Sequence, residues 1–243
     1  MTEEADTLRA KVSKSAPCGD SIRFFSDGQE RFFALLCDGM GSGEDAAAIS
    51  GICVSFLERL LRAGVGIDSA LTLLNRHLCS RTSPAAEITS TVDLISMDLF
   101  SGKAHFIKSG AADSLILRGD QWYTVSSRTY PLGVLHSVDA QIIPFPLQAG
   151  DQILMMSDGV MDTLLPEAIA SISGIDANAA QLDLTDQPGW LYALLDTASL
   201  DSEASVRDFL DRILTSARQR GSADDMTVAM LHRHQQGHHQ FHH

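Results

Sequence analysis

The chain has 243 residues, of which 44% are hydrophobic, a composition ordinary for a globular protein with a core of its own. Its formal net charge of −13 excludes unassisted attraction to nucleic acid or to an anionic membrane surface. No apolar run approaches the ~20 residues of a membrane helix, and the four cysteines form no C-x-x-C pair, so we expect a cytoplasmic protein that does not insert into a membrane.

The first third of the chain is predicted to form three strands and then two helices. The strands cover Leu8–Ser15, Ser21–Ser26 and Arg31–Cys37, and an Asp-Gly turn joins the second to the third. Apolar residues then recur at helical spacing over Glu44–Arg62 and Ile67–Cys79. The apolar stripe of the first helix comprises Ile49, Ile52, Cys53, Phe56, Leu57, Leu60 and Leu61.

The remainder of the chain is predicted to be mostly strands separated by Gly-, Asp- and Ser-rich turns. These strands are Thr91–Leu99, Ala104–Lys108, Ser114–Leu117, Trp122–Val125, Gln141–Phe145, Gln152–Met156 and Thr227–Leu231. One amphipathic helix is expected over Val206–Ala217, and 166–188 is interpreted as an insertion with some helix. The last residues, 234–243, are His-rich and are interpreted as a flexible tail.

Strands in antiparallel runs and helices in pairs do not follow the βαβ alternation of a parallel sheet. We therefore predict a four-layer α-β-β-α sandwich over residues 1–233, an α+β fold in which two central antiparallel sheets are flanked by helix pairs.

Acidic residues stand at the ends of three apolar strands. Asp38 ends one strand, Asp158 follows another, and Asp224 precedes a third, while Asp20 lies just before a fourth strand. Converging carboxylates repel one another, and a hard divalent cation with oxygen ligands neutralises them. The sequence offers no Cys/His cluster for zinc, so Mg²⁺ or Mn²⁺ is the expected ion.

The turn "DGMGSG" after Asp38 allows a second interpretation, in which backbone amides cradle a phosphate. The dinucleotide fingerprint G-x-G-x-x-G is not met, because its last glycine position holds Glu44. A P-loop lysine is missing as well. An ordinary tight turn is the remaining alternative for this stretch when it is taken alone.

Several segments together resemble those of the PPM-type (type 2C) metal-dependent protein serine/threonine phosphatases. The similarity is greatest to the phosphatase domain of stage II sporulation protein E, and it extends from Val12 to Leu231. The segments that carry it are, in chain order, "CGDS", "ALLCDGMGSGEDAA", "STVDL", "RGDQ", "PLGVL", "LQAGDQILMMSDG" and "DDMTVAML".

The resemblance implies a site with two divalent metal ions, Mn²⁺ or Mg²⁺. Asp38 would bridge both ions and the Gly39 carbonyl would bind one of them. Asp158 and Asp224 would bind the other ion, with Asp20 near the metal pair. Water activated by the two ions would attack phosphorus directly, without a covalent phospho-enzyme.

The resemblance also implies a phosphorylated protein as substrate, specifically a phosphorylated anti-anti-sigma factor in the control of a sporulation sigma factor. One departure is Met40, which stands where another branch of the family has a histidine proposed as general acid. Two alternatives stay open: a non-catalytic interaction domain that keeps the fold, and a metal-dependent phosphodiesterase or nuclease, which the acidic charge disfavours.

The helix pair after Asp38 is expected to regulate metal binding. Gly41 and Gly43 would form a hinge before the first helix, and Gly51 lowers the rigidity of that helix. By resemblance, the chain is expected to be one domain of a longer, membrane-anchored protein and to be able to form a homodimer.

Overall fold

The computed structural model describes residues 4–5, 8–14, 18–41, 43–81, 88–119, 121–164, 180–181, 202–219, 222 and 224–233. Within these residues, two antiparallel sheets lie between helices, so the predicted four-layer sandwich is confirmed. The predicted tail, 234–243, lies outside the described residues. So does most of the predicted insertion, 166–188.

The smaller sheet has five strands in the order β3-β4-β5-β6-β9. These strands are β3 (Asp20–Ser26), β4 (Arg31–Asp38), β5 (Val92–Asp98), β6 (Lys103–Ser109) and β9 (Gln141–Pro146). Apart from β9, neighbours in the chain are neighbours in the sheet; short turns join β3 to β4 and β5 to β6, and the helical segment 43–81 lies between β4 and β5.

The larger sheet has seven strands in the order β1-β2-β12-β10-β7-β8-β11. These strands are β1 (Glu4–Ala5), β2 (Leu8–Lys14), β7 (Ser114–Arg118), β8 (Gln121–Val125), β10 (Gln152–Met156), β11 (Ala180–Gln181) and β12 (Thr227–Arg233). Strands from the two ends of the chain, β2 and β12, pair over seven residues.

Four described helices cover the outer faces of the sheets. They are α1 (Gly43–Arg62), α2 (Ile67–Arg81), α3 (Asp158–Leu164) and α4 (Glu203–Gln219). In α1, the acidic Glu44 and Asp45 occupy the first turn and Arg59 and Arg62 the last, which complements the helix dipole. None of the helices in the described part of the chain is both long and apolar enough to cross a membrane.

Three buried clusters hold the layers together. One contains side chains of both sheets, among them Phe24, Phe106 and Ile153, and fills the space between the sheets. A second packs α1 and α2 on the smaller sheet, and a third packs α3 and α4 on the larger sheet. The central strands β4, β5 and β10 are buried on both faces, because a sheet lies on one side of them and helices on the other.

The structure differs from the sequence prediction at a few elements. The helix α3 begins at Asp158 itself, where no helix was predicted, and the two-residue strands β1 and β11 were also missed. Ile52, which the helical period places in the apolar stripe of α1, is 47% exposed, so that part of the stripe prediction is wrong. The helix is packed along one side only, and Ile52 lies on the side away from the buried residues Ser50, Leu57 and Leu61.

Truncating a buried leucine of α1 should show how strongly this helix is held on the smaller sheet. Leu57 is fully buried, so Leu57→Ala is expected to lower the free energy of unfolding by about 2–5 kcal/mol. Leu73→Ala on α2 is the matched control, because Leu73 is 46% exposed, and it should change stability by less than about 1 kcal/mol. Urea denaturation of the three proteins measures the difference; equal losses in both variants would contradict this packing.

Candidate active site

The pairing of β3 with β4 sets two of the predicted site residues opposite each other. Asp20 at the start of β3 is the direct cross-strand partner of Asp38 at the end of β4. Asp20 is only 1% exposed, whereas Asp38 is half-buried. Two carboxylates at directly opposite strand positions repel each other, so this strand end is electrostatically unfavourable without a cation.

The backbone of Asp38 is fixed by the residues that precede β5. Its N–H donates to Thr91 Oγ1 at 3.1 Å, and its carbonyl accepts from the Thr91 N–H at 2.9 Å and from Ser90 Oγ at 2.9 Å. Because these three hydrogen bonds hold the main chain, the Asp38 side chain extends from a fixed backbone position at the edge of the sheet. Thr91 and Ser90 belong to the "STVDL" segment, whose role the sequence alone did not reveal.

The glycine turn after Asp38 has the geometry that was predicted for it. Gly41 and Gly43 have φ values of 109° and 75°, in the left-handed region that favours glycine. Gly39 is buried, and a Cβ at this position would collide with the carbonyl oxygen of Ala46 in α1. The turn therefore brings α1 against the main chain at Gly39, and no side chain can stand between them.

The larger sheet contributes the other two predicted acids at one end of the β10–β12 pair. Met156 pairs with Val228, so Asp158, after β10, and Asp224, before β12, emerge at the same edge. Gly159 lies so close to this second segment that a Cβ would collide with the Asp225 carbonyl oxygen. The close approach brings the start of α3 onto the 224–225 segment.

Asp225 connects the two sheets at this end of the sandwich. Its Oδ2 accepts a hydrogen bond at 2.8 Å from the N–H of Gly19, which lies one residue before β3. A Cβ at Gly19 would lie 2.7 Å from the same oxygen, so only glycine allows this contact without a shift. The sequence analysis assigned no role to Asp225; its place beside Asp224 in the doublet "DD" was the only available signal.

Neighbouring acids change the ionisation of Asp38 and Asp158. Burial, followed by the charges of Asp20, Asp158 and Asp224, raises the pKa of Asp38 to about 8. Burial also raises the pKa of Asp158, and the charge of Asp224 adds to this, whereas the Gly159 N–H that donates to Asp158 Oδ1 at 2.8 Å acts in the opposite direction. The structure thus brings together all four acids that the sequence analysis selected.

The donor set suits a hard divalent cation. It consists of carboxylate oxygens and the main chain at Gly39, and the mutual repulsion of the acids is what a bound cation would relieve. In the part of the chain that the structure describes, no three His, Cys, Asp or Glu side chains already surround a common point as ligands do. Met40, at the position of a possible proton donor, is 52% exposed, and its N–H donates to the Thr89 carbonyl at 3.1 Å.

The model of the stage II sporulation protein E (SpoIIE) family matches residues 28–234. The chain belongs to the SpoIIE family. It is 35% identical over 213 residues to stage II sporulation protein E of Bacillus subtilis (strain 168), an alignment that covers 88% of this chain and 24% of that protein. The chain thus spans about a quarter of the length of this curated relative.

Solved structures agree with this membership. The PP2C phosphatase domain of SpoIIE from Bacillus subtilis, solved with a fragment of its regulatory domain, superimposes with a TM-score of 0.73 at 26% identity and covers 93% of this chain and 63% of that one. RsbX in complex with magnesium has the same fold, with a TM-score of 0.66 at 14% identity over 95% of this chain and 98% of that one. The predicted resemblance to PPM-type phosphatases is therefore confirmed.

The raised pKa of Asp38 predicts a pH-dependent stability of the metal-free protein. The pKa of about 8 in the folded chain exceeds the ~3.9 of an unfolded aspartate, so the folded state retains this proton between these pH values. The contribution of Asp38 to the free energy of unfolding is therefore greatest below about pH 4, and it falls as the pH rises to about 8.

Asp38→Asn removes that dependence. In the presence of a chelator, its Tm should exceed that of the parent at pH 8, because the amide at this position carries no charge for the neighbouring acids to repel. The difference should close as the pH approaches 4. Thermal denaturation across this pH range measures it, and a variant that is less stable than the parent at pH 8 would contradict the assigned repulsion.

Proposed function

We propose that the chain is a metal-dependent protein phosphatase that hydrolyses phosphoserine or phosphothreonine by direct attack of water on phosphorus. The observation that carries the proposal is the convergence of Asp20, Asp38, Asp158 and Asp224, whose charges and burial raise the pKa of Asp38 to about 8. Membership of the SpoIIE family and the PP2C phosphatase fold support the same reaction.

The proposed residue roles are those that the family resemblance implies. Asp38 would bind both of two Mn²⁺ or Mg²⁺ ions and the Gly39 carbonyl one of them; Asp158 and Asp224 would hold the other ion, with Asp20 opposite Asp38. When bound, the ions supply positive charge for the phosphoryl oxygens and acidify a water molecule. The bonds from Ser90 and Thr91 fix Asp38 before any ion arrives, so this ligand is pre-organised.

The departing serine or threonine oxygen needs a proton in the transition state. Met40 cannot supply it, because a thioether has no acidic hydrogen. The exposure of Met40 places solvent at this position, so water is the proposed proton source. A turnover slower than in relatives with a histidine at this position is the expected consequence.

The ligand assignment predicts the loss of hydrolysis in three separate variants, Asp38→Asn, Asp158→Asn and Asp224→Asn. Each is expected to lower kcat by at least about 100-fold while the protein stays folded, since an amide is a poorer ligand for Mn²⁺ than a carboxylate. Hydrolysis of p-nitrophenyl phosphate and of a phosphoserine peptide at millimolar Mn²⁺ measures the effect. Asp162→Asn, an exposed acid on α3, is the control and should retain activity. Parent-like activity in any of the three ligand variants would contradict the two-metal site.

The same assay distinguishes the alternatives. No hydrolysis by the parent at any Mn²⁺ concentration would favour a non-catalytic interaction domain, and turnover of diesters alone would favour a phosphodiesterase. We further propose that the natural substrate is a phosphorylated anti-anti-sigma factor in sporulation, by analogy with the family. Dephosphorylation of such a protein, followed by phosphate-affinity electrophoresis, tests this substrate directly.

We also propose that α1 and α2 control metal binding as a switch. The helix α1 contacts the site twice: the Ala46 carbonyl packs on Gly39, and Ser50 Oγ donates to the Gly19 carbonyl at 2.5 Å. A shift of α1 on the Gly41 and Gly43 turn would therefore displace the main chain at both metal-proximal positions. Such a displacement should reduce the rate of hydrolysis strongly, because about 1 Å of misplacement can reduce a rate ~100-fold.

Variants that repack α1 test the switch without touching the acids. Phe56 stacks on His77 of α2 with ring centroids 5.9 Å apart, and Leu60 is also half-buried. Phe56→Ala and Leu60→Met are expected to change kcat or the Mn²⁺ concentration for half-saturation by roughly 10-fold or more. Leu73→Ala on the exposed side of α2 is the control. If the Mn²⁺ titrations of both repacked variants overlay that of the parent, the helices are a static layer.

A further inference from the structure

A buried ion pair lies between β5 and β6, behind the carboxylate cluster. Asp93 and Lys108 are direct cross-strand partners, and their side chains are 2% and 0% exposed. Lys108 Nζ lies 3.0 Å from Asp93 Oδ2 and also donates to the Ala112 carbonyl at 2.7 Å and to Ser114 Oγ at 2.9 Å. Ser114 Oγ in turn donates to Asp93 Oδ2 at 2.8 Å.

Stability does not explain why the chain keeps this pair. Removing two charges from water is costly, and apolar residues of similar volume often replace a buried ion pair with no loss of stability. Ile95 and Met97, which share the face of β5 with Asp93, belong to the core between the sheets, so a hydrophobic pair would continue that core. The pair is therefore a candidate for a role in the adjacent site.

Among the described residues, only one of the two carboxylate oxygens of Asp93 has hydrogen-bond partners. Lys108 and Ser114 both bind Oδ2, whereas Oδ1 is buried and has no hydrogen-bond partner among the described residues. A buried carboxylate oxygen left without a donor is unfavourable, which indicates that a donor from outside the chain occupies this position during function.

Asp93 lines a small cavity together with the two central acids of the site. The cavity measures about 20 Å³, and its other lining groups include Asp38, Asp158, Thr91 and the 110–112 segment. A space of this size accommodates about one water molecule, which needs two or more polar partners. Lys108 holds one wall of the cavity in place through the Ala112 carbonyl.

We propose that Asp93 is a positioning residue of the phosphatase site: Oδ1 accepts a hydrogen bond from a water molecule between Asp38 and Asp158, and Lys108 keeps Oδ1 directed there. The proposal rests on the proposed function. Asp93 orients the water and takes no proton from it. The oxygen of this water, which attacks phosphorus, is thereby held in the cavity that Asp38 and Asp158 line.

The decisive variant replaces the whole pair, Asp93→Leu/Lys108→Met, so that no charge is left buried and unpaired. We expect a metal-free Tm no lower than that of the parent and a superimposable calorimetric titration with Mn²⁺. With p-nitrophenyl phosphate, KM should be unchanged and kcat should fall roughly 100-fold, the effect of misplacing a reacting group. The control is Asp151→Leu/Arg118→Met, which removes another ion pair (2.7 Å) outside the cavity and should retain the kcat of the parent.

Each outcome bears on the inference. Parent-like kcat in the Asp93→Leu/Lys108→Met variant overturns it, and so does loss of Mn²⁺ binding, which would make Asp93 a direct ligand. If the double variant does not fold, Ser114→Ala replaces it: kcat should fall about fivefold, the effect of one lost hydrogen bond, and unchanged kcat overturns the inference.

A crystal structure of the parent gives a test independent of turnover, since it should contain an ordered water within about 2.6–3.2 Å of Asp93 Oδ1. Absence of that water would overturn the inference. A parent that is inactive on every phosphomonoester overturns the proposed function as well, whereas an active parent with an equally active Asp93→Leu/Lys108→Met variant overturns only the role of Asp93.

Discussion

Carboxylates repel one another at one end of the sandwich, and the packing of both sheets has to hold them together there. Asp20 and Asp38 occupy directly opposed strand positions, and Asp158 and Asp224 approach them from the other sheet. Each acid would be more favourable if the others were farther away, so the arrangement of the four acids destabilises the folded state. The three buried clusters must supply the compensating free energy, since native proteins have only a small surplus of stability.

Glycines allow the elements around this end to approach closely enough to converge. Gly39 meets the main chain of α1, Gly19 meets Asp225 across the two sheets, and Gly159 meets the main chain at Asp225. In each case a methyl group would require a shift. These close contacts fix the main chain near the acids. The carboxylates therefore have little freedom to move away from one another.

The sequence predicts the long, periodic elements and the four acids because both signals are local. Turn chemistry and apolar alternation delimit the strands, and an acid at a strand end is visible without knowing the fold. The pairing of β2 with β12 and that of the two-residue strand β11 with β8 are not local, since their hydrogen bonds join distant parts of the chain. The Asp93–Lys108 pair was missed for a similar reason: neither charge stands out in the sequence, and only the register of β5 and β6 makes them neighbours.

The hairpin formed by β3 and β4 also limits how the chain can tolerate insertions and deletions. Its turn, 27–30, is closed by Asp27, whose carboxylate accepts from the Gln29 N–H and from Arg31. Side chains alternate between the faces of a strand, so adding or removing one residue in this turn would invert every side chain of β3 relative to β4. Asp20 would then leave the face it shares with Asp38, and Phe24 would leave the core between the sheets. A change of one residue in this surface turn, which lies at the opposite end of the hairpin from the acids, would therefore disrupt the active site.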